Sequence, residues 1–322
     1  MQILVTGATS IIGAPLVKQL VSQQHKVYAV IRPQSSNISR LSSVIQESNL
    51  TLIESYLADI DEKINQITDT IDVCFHFGWD GAGSENRKRR DLQLKNIADS
   101  MEVLKVCEML GCKRFIFSGS QAEYGVHQNK TTEDVECVPI SEYGKAKIEF
   151  MQQAKRYLTQ RPIPSKMQYV HARIFSVYGP QDHNGSLINS CVTTFLQKKS
   201  IELGACEHLW NYLYIDDLIS ALLAIMNMDK YQEPYLVYNI AGDEDETKPL
   251  KDYIECLHQC CGKQGRYYLG KRSPNAEGGA NLNPSIDKLK NNTGWKPLVS
   301  FEEGIQRIIK QRCSDYDSKR EK

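Results

Sequence analysis

The chain has 322 residues, enough for two domains rather than one simple core. Hydrophobic residues make up 41% and charged residues 24%, a soluble composition with no apolar run near the ~18 residues that a membrane span needs. Lysine plus arginine and aspartate plus glutamate both count 39, so no net charge draws the chain to nucleic acid or an anionic membrane.

The start, MQILVTGATS, enters a strand directly, without the basic-then-apolar layout of a signal peptide. A cytoplasmic protein with its ten cysteines reduced is therefore expected. Ile3-Leu4-Val5 is a short apolar run closed by Gly7, and Ala14 to Val21 recurs at helical spacing. Residues 26–32 (KVYAVIR) read as a second strand, 50–57 as a third and 73–77 (VCFHF) as a fourth, in which His76 is expected to be buried and hydrogen-bonded. The basic run Arg87-Lys88-Arg89-Arg90 reads as a solvated loop and helix start. A helix over 98–110, a strand over 114–117 (RFIF), a helix within 140–158 and a strand over 169–177 follow. Cys256, Cys260 and Cys261 cluster without CxxC spacing or a second ligand pair, so they read as packing on one helical face, and no metal is expected. The polar tail SDYDSKREK is expected to fray. Strand-helix alternation of this kind predicts an α/β fold, a doubly wound parallel sheet with ligands at the carboxyl ends of its strands.

TGATSIIG joins the first strand to the first helix. Gly7 allows a tight turn and Gly13 lets helix and strand pack closely. The backbone between them, through Thr9, Ser10, Ile11 and Ile12, can approach a pyrophosphate at the helix N-terminus, where free N–H groups point outward. Ser10 replaces the middle glycine of GxxGxxG, and its hydroxyl can itself face phosphate. The second strand ends at Arg32, 19 positions past Gly13. An acidic residue there would grip the ribose of NAD, whereas an arginine can pair with the 2′-phosphate of NADP. Ser35 and Ser36 add hydroxyl donors, so NADP(H) is the expected cofactor.

SGSQAEYG (118–125) sits at another strand end, and YGKAK (143–147) follows with Tyr143 placed 23 residues after Ser120. On a helix, Tyr143 and Lys147 share a face, and the ammonium can lower the phenol's pKa toward usable acid–base chemistry. A second YxxxK, from Tyr267 to Lys271, lacks the strand-helix setting and carries Gly270 inside it.

TGATSIIG, Asp59-Ile60, HFGW (76–79), Asn96, SGSQAEYG, YGKAK, ARIFSVYGP (172–180), YIDD (214–217), YNIAG and TGWKP together resemble an extended short-chain dehydrogenase/reductase of the nucleotide-sugar epimerase/dehydratase/reductase group. The resemblance runs from residue 3 to about 304. It implies a Ser120–Tyr143–Lys147 catalytic set, Asp59 and Ile60 beside adenine, Phe77, Gly78 and Asn96 along the cofactor, and Phe175 by the nicotinamide. It also implies a Rossmann domain of residues 1–180 plus 215–242, and a discontinuous substrate domain of 181–214 and 243–322. In that domain the segments around Asn184 to Lys198 and Asp243 to Phe301 would clamp the nucleotide end of a nucleoside-diphosphate sugar. The helices over 98–110 and 140–158 would pair with a second copy in a four-helix bundle, giving a homodimer. Nucleic acid and membrane are not expected partners.

Dehydratases of this group place Asp-Glu directly after the catalytic hydroxyl residue, and here the positions are Gln121 and Ala122. Neither is an acid or base, and Glu123, one step on, is expected to point the other way if the segment stays extended. Three departures bear on the substrate: Ser176 stands for the usual asparagine, Trp210 for an arginine that meets the diphosphate, and Asn211 for the aspartate after it. Arg272 is the cation expected to replace that arginine. Trp210 would stack on a base or sugar or else belong to the core. Trp79 and Gln121 are further expected substrate contacts. Three activities fit: an NADPH-dependent reductase of a nucleoside-diphosphate 4-keto-6-deoxy sugar, a nucleotide-sugar 4-epimerase, and a non-catalytic NADP-binding regulator. The intact serine-tyrosine-lysine set favours an enzyme, and Arg32 favours the reductase.

Overall fold

A computed structural model of the chain describes residues 1–320 except 84, 161–163, 184, 229–232 and 273–280, with the backbone alone over 315–320. In chain order its elements begin β1 (Gln2–Thr6), α1 (Gly13–Ser22), β2 (Lys26–Ile31), β3 (Leu50–Glu54), β4 (Val73–His76), α2 (Arg90–Met109), β5 (Arg114–Ser120), α3 (Glu142–Thr159) and β6 (Gln168–Ile174). They continue with β7 (Ser176–Tyr178), α4 (Leu187–Leu196), β8 (Ser200–Glu202), β9 (Leu209–Trp210), β10 (Tyr212–Tyr214), α5 (Ile215–Met226) and β11 (Tyr235–Ile240). The last are β12 (Lys248–Pro249), α6 (Leu250–Cys260), β13 (Arg266–Tyr268), α7 (Asp287–Thr293) and α8 (Phe301–Arg320).

The chain divides into two compact units. The first comprises Met1–Gly125, Glu133–Ile174 and Leu222–Asn239, and contains a sheet ordered β3-β2-β1-β4-β5-β6-β11. The pairs from β3 through β6 are all parallel. Ile3, Leu4 and Val5 of β1 are fully buried, so this strand reads as a continuous apolar run rather than an alternating one, as a sheet covered on both faces requires. Strand order reverses beside β1, where β2 lies on one side and β4 on the other, and this is where such sheets take ligands. Arg114 is fully buried at the start of β5. Its Nε donates to Gln168 Oε1 at 2.7 Å, and its other nitrogens donate to the carbonyls of Ile225, Met226 and Met228, satisfying the open C-terminal end of α5.

The second unit comprises Val126–Thr132, Phe175–Ala221 and Ile240–Lys322. Its core joins α4, α6 and α8 through Val192, Phe195, Ile254, Leu257, Phe301 and Ile305. Among the described residues, no helix is long and apolar enough to cross a membrane.

The elements differ from the sequence reading at three places that matter for the site. α2 starts at Arg90, eight residues before the expected 98, because its first turns bury Gln93 and Asn96 rather than apolar side chains. The strand expected over 169–177 breaks at Phe175: β6 stays in the large sheet, whereas β7 pairs with β10 in the second unit. β3 ends at Glu54, and a 3₁₀ segment from Leu57 to Gln66 takes over.

Candidate active site

The β1–α1 turn is shaped by two close backbone approaches. Gly7 has φ 64°, and a Cβ there would lie 2.8 Å from the Gly78 nitrogen; a Cβ on Gly13 would lie 2.2 Å from the Gly7 carbonyl oxygen. Neither position admits a side chain, so the turn lies close against β4's end at the start of α1. The Ser10 Oγ accepts from the Gly13 N–H at 2.8 Å, so its hydroxyl caps the helix as well as bordering the space in front of it. That space is a cavity of about 330 Å³, lined by Gly7, Thr9, Ser10 and Ile11 of the turn and by Phe77, Gly78, Trp79 and Asp80 after β4. Arg32, Asn37 and Arg40 line it beyond β2, and Asn96 lines it from α2. Ile12 is the N-cap residue of α1. Asn96 accepts from the Asp80 N–H and donates to the Asp80 carbonyl at 2.9 and 2.8 Å, which fixes the loop after β4. The lining fits a dinucleotide: the glycine turn with Thr9, Ser10 and Ile11 at a helix start on one side, and cations at the rim on the other.

At that rim Arg32 donates to Asp80 Oδ1 at 2.9 Å, with side chains 62% and 53% exposed, so the pair is weakly held. Arg40, which the sequence reading missed, donates to the Thr9 carbonyl at 3.0 Å and brings a second guanidinium to the same cavity. Its signal was its place eight residues beyond Arg32 on the loop that must wrap the adenosine end. Ser35 meets Thr9, Oγ to Oγ1, at 3.1 Å, and Ser36 is exposed; neither lines the cavity among the described residues. Asp59 and Ile60 do not line this cavity among the described residues. Because β3 ends early, Tyr56 and Leu57 line the cavity instead. Asp59 sits at a kink of the 3₁₀ segment facing solvent, and Ile60 is buried in the first unit's core.

Ser120, Tyr143 and Lys147 are all buried and all belong to the first unit. Ser120 ends β5, and its Oγ donates to Gln121 Oε1 at 3.1 Å while accepting from the Ala122 N–H. A Cβ on Gly144 would lie 2.4 Å from the Ala122 carbonyl oxygen, so glycine after Tyr143 lets α3 close onto the turn after Ser120. Lys147 donates to the Ser118 carbonyl at 2.8 Å. Its Nζ lies 3.8 Å from the Trp79 ring centroid and 5.4 Å from that of Tyr143. Trp79 itself donates to Gln93 Oε1 and stands edge-on to Tyr143. Burial pushes Lys147 down to about 7, with Glu123 opposing the fall and Arg87 adding to it. Arg87 overturns the solvated reading of the basic run at one position. Its guanidinium lies 4.9 Å from the Tyr143 ring centroid, held by a bond to the Ala82 carbonyl, while Arg89 and Arg90 pair with Asp91 and Glu142.

The turn after Ser120 also departs from expectation. Residues 121–123 form a 3₁₀ turn rather than an extended segment, and Glu123 folds back so that its carboxylate accepts from the Ser120 N–H at 2.7 Å. Glu123 is fully buried. His76 is also fully buried, between the Thr6 and Ser100 hydroxyls at 2.6 and 2.9 Å, and burial with Lys147 nearby lowers it to about 3.

The remaining expected residues lie in the second unit. Phe175 is buried with its N–H on the Ile240 carbonyl, and Ser176 opens β7. Trp210 packs against that unit's core, edge-on to His208, which supports the core alternative; its buried indole N–H finds no partner among the described residues. Asn211 is fully buried and donates to the Asp243 carbonyl and to Thr247 Oγ1. Arg272 is exposed, with its backbone N–H on the Leu203 carbonyl. Asn184 lies outside the described residues.

The profile of the NAD dependent epimerase/dehydratase family matches residues 3–241. The chain is 24% identical to an uncharacterized UDP-glucose epimerase, YtcB, of Bacillus subtilis, covering 98% of this chain and 99% of that protein. It is also 24% identical to the dTDP-4-dehydro-6-deoxyglucose reductase of Escherichia coli, covering 97% and 98%. Among solved structures it is similar to a UDP-glucose 4-epimerase of Thermotoga maritima crystallised with UDP-glucose, with a TM-score of 0.83 at 22% identity, covering 98% of this chain and all of that one.

Proposed function

The chain belongs to the NAD-dependent epimerase/dehydratase family, and we propose that this enzyme uses NADPH to reduce the keto group of a nucleoside-diphosphate 4-keto-6-deoxy sugar. The observation that carries the choice of cofactor is the pair of guanidiniums, Arg32 and Arg40, on one cavity rim. An exposed ion pair such as Arg32–Asp80 is worth roughly 0–1 kcal/mol, so a doubly charged 2′-phosphate displaces Asp80 at little cost. A reductase that consumes its cofactor draws on the NADPH pool, whereas a 4-epimerase recycles one bound cofactor. Similarity to the E. coli reductase supports the same reading, and similarity to the two epimerases favours the alternative, a nucleotide-sugar 4-epimerase.

When bound, NADPH supplies hydride to the substrate carbonyl carbon. Tyr143 gives its phenolic proton to the developing alkoxide, and Ser120 donates a hydrogen bond to the same oxygen. Lys147 holds the cofactor ribose and lowers the proton affinity of Tyr143. Gln121 and Ala122 occupy the positions where dehydratases of this group carry their acids, and Glu123 is bonded to the Ser120 N–H, so elimination of water is not supported. Residues 181–214 and 243–322, including Arg272, are proposed to hold the nucleotide sugar together with Ser176. The enzyme is proposed to act as a cytoplasmic homodimer through α2 and α3, since α2 leaves Leu94 and Met109 exposed. The test is NADPH absorbance with a 4-keto-6-deoxy sugar nucleotide freshly made by a dehydratase. Stoichiometric loss of NADPH with a new hydroxyl in the product is expected; interconversion of two sugars without net loss of NADPH identifies the epimerase.

A further inference from the structure

Beneath Ser120 lies a buried polar cluster that the reaction above does not use. In the β5–β6 register Phe117 pairs with His171 and Gly119 with Arg173, so these four residues share one face of the sheet. Gly119 leaves a slot on that face: a Cβ there would lie 2.5 Å from His171 Nε2 and 2.8 Å from Glu123 Oε1. Glu123 turns back into the slot. Its two oxygens meet His171 Nε2 at 2.9 Å, Oε2 accepts from Arg173 Nε at 2.9 Å, and Oε1 accepts from the Ser120 N–H. Arg173 continues to the Tyr124 hydroxyl, and Tyr124 to Asn239 Oδ1. The same strand end holds Lys147 through the Ser118 carbonyl, and Lys147 covers Phe117 at 4.5 Å on this face.

We propose that Glu123 is a positioning residue: it fixes the Ser120 backbone and supplies the negative charge that balances the buried ammonium of Lys147. This rests on the reading that Lys147 holds the cofactor ribose. The charges that act on Lys147 are Glu123, which favours its ammonium, and Arg87 from the segment before α2, which opposes it; His76 from β4 and His171 from β6 feel the Lys147 charge in turn, and the Tyr143 ring stands one turn back on α3. Among these, Glu123 is the one carboxylate. Burial opposes its ionisation, but His171, Arg173 and the Ser120 N–H together hold it below the usual carboxylate value. Burial lowers His171 while Glu123 opposes the fall; Arg173 is the guanidinium that pairs with the carboxylate, and His171 Nε2 lies within hydrogen-bond distance of it. Removing the Glu123 charge leaves burial and Arg87 acting on Lys147 unopposed, and the ammonium is lost at lower pH.

The experiment is a fluorescence titration of NADPH across pH, which needs no turnover. In the unaltered enzyme affinity is expected to fall as pH rises through about 7, because the Lys147 ammonium is lost there. In Glu123→Gln that break should move down by about one pH unit, giving about fivefold weaker binding at pH 7 and about tenfold above pH 8. Glu123→Asp should keep the original break. Should Glu123→Gln fail to fold, Glu123→Gln with Arg173→Leu removes both members of the buried pair and should show the same downward move. An unchanged break in the charge-removing variants overturns the inference while leaving the role of Lys147 intact. The absence of any break in the unaltered enzyme overturns the inference together with the role of Lys147 on which it rests.

Discussion

Replacing Arg32 with alanine separates the two cofactors in a way that the structure makes quantitative. The guanidinium reaches the cavity rim on a side chain that is 62% exposed, and its partner there is Asp80. A charged hydrogen bond to phosphate is worth about 1.5–3 kcal/mol, and releasing Asp80 costs roughly 0–1 kcal/mol of that. The net loss for NADPH is then about 0.5–3 kcal/mol, or about two- to 150-fold in dissociation constant. NADH lacks the 2′-phosphate, so its affinity should be little changed by Arg32→Ala. Arg40→Ala should weaken both cofactors, because Arg40 also holds the Thr9 carbonyl of the pyrophosphate turn. Fluorescence titration of both cofactors against both variants reads these differences directly. Equal weakening of NADPH and NADH by Arg32→Ala, or tighter NADH than NADPH binding in the unaltered enzyme, refutes the reasoning.

Tyr143→Phe should lower the rate ~10²–10⁴-fold while NADPH titrates nearly as before, since the phenol and not the ring moves the proton; steady-state kinetics beside a binding titration checks this, and full activity contradicts it. Gly119→Ala forces a Cβ to within 2.5 Å of His171 Nε2 and should destabilise the protein by about 1–3 kcal/mol, seen as a lower Tm by calorimetry. An unchanged Tm would mean that the buried cluster yields at no cost. Light scattering at micromolar concentration should give the mass of two chains, and Leu94→Lys with Met109→Lys should halve it; a monomer in the unaltered protein removes the proposed interface.

Much of the first unit was legible because its strands are continuous apolar runs and its turns carry glycines that geometry demands. Gly7 and Gly13 are such positions, and Ser120, Tyr143 and Lys147 are all buried in the first unit, with Lys147 bonded to the Ser118 carbonyl. At the expected adenosine end, named as Asp59 and Ile60, β3 stops at Glu54, the 3₁₀ segment turns Ile60 into the core, and Tyr56 and Leu57 line the cavity. Helix α2 was read eight residues short because its buried Gln93 and Asn96 carry no apolar signal, yet they secure Trp79 and the Asp80 loop. Arg87 and Glu123 were invisible for a related reason. Each is a charged residue in a polar stretch, and only the chain's return brings Tyr143 under one and Arg173 against the other.

The account stands most directly on where the hydride ends. NADPH deuterated on one or the other face of the reactive nicotinamide carbon is mixed with a nucleoside-diphosphate 4-keto-6-deoxy sugar and the enzyme, and the sugar product is examined by mass spectrometry and NMR. With one of the two labelled samples, the account predicts one deuterium at the former carbonyl carbon for each oxidised cofactor released. A product that lacks deuterium with both samples, formed with no net loss of NADPH, contradicts it.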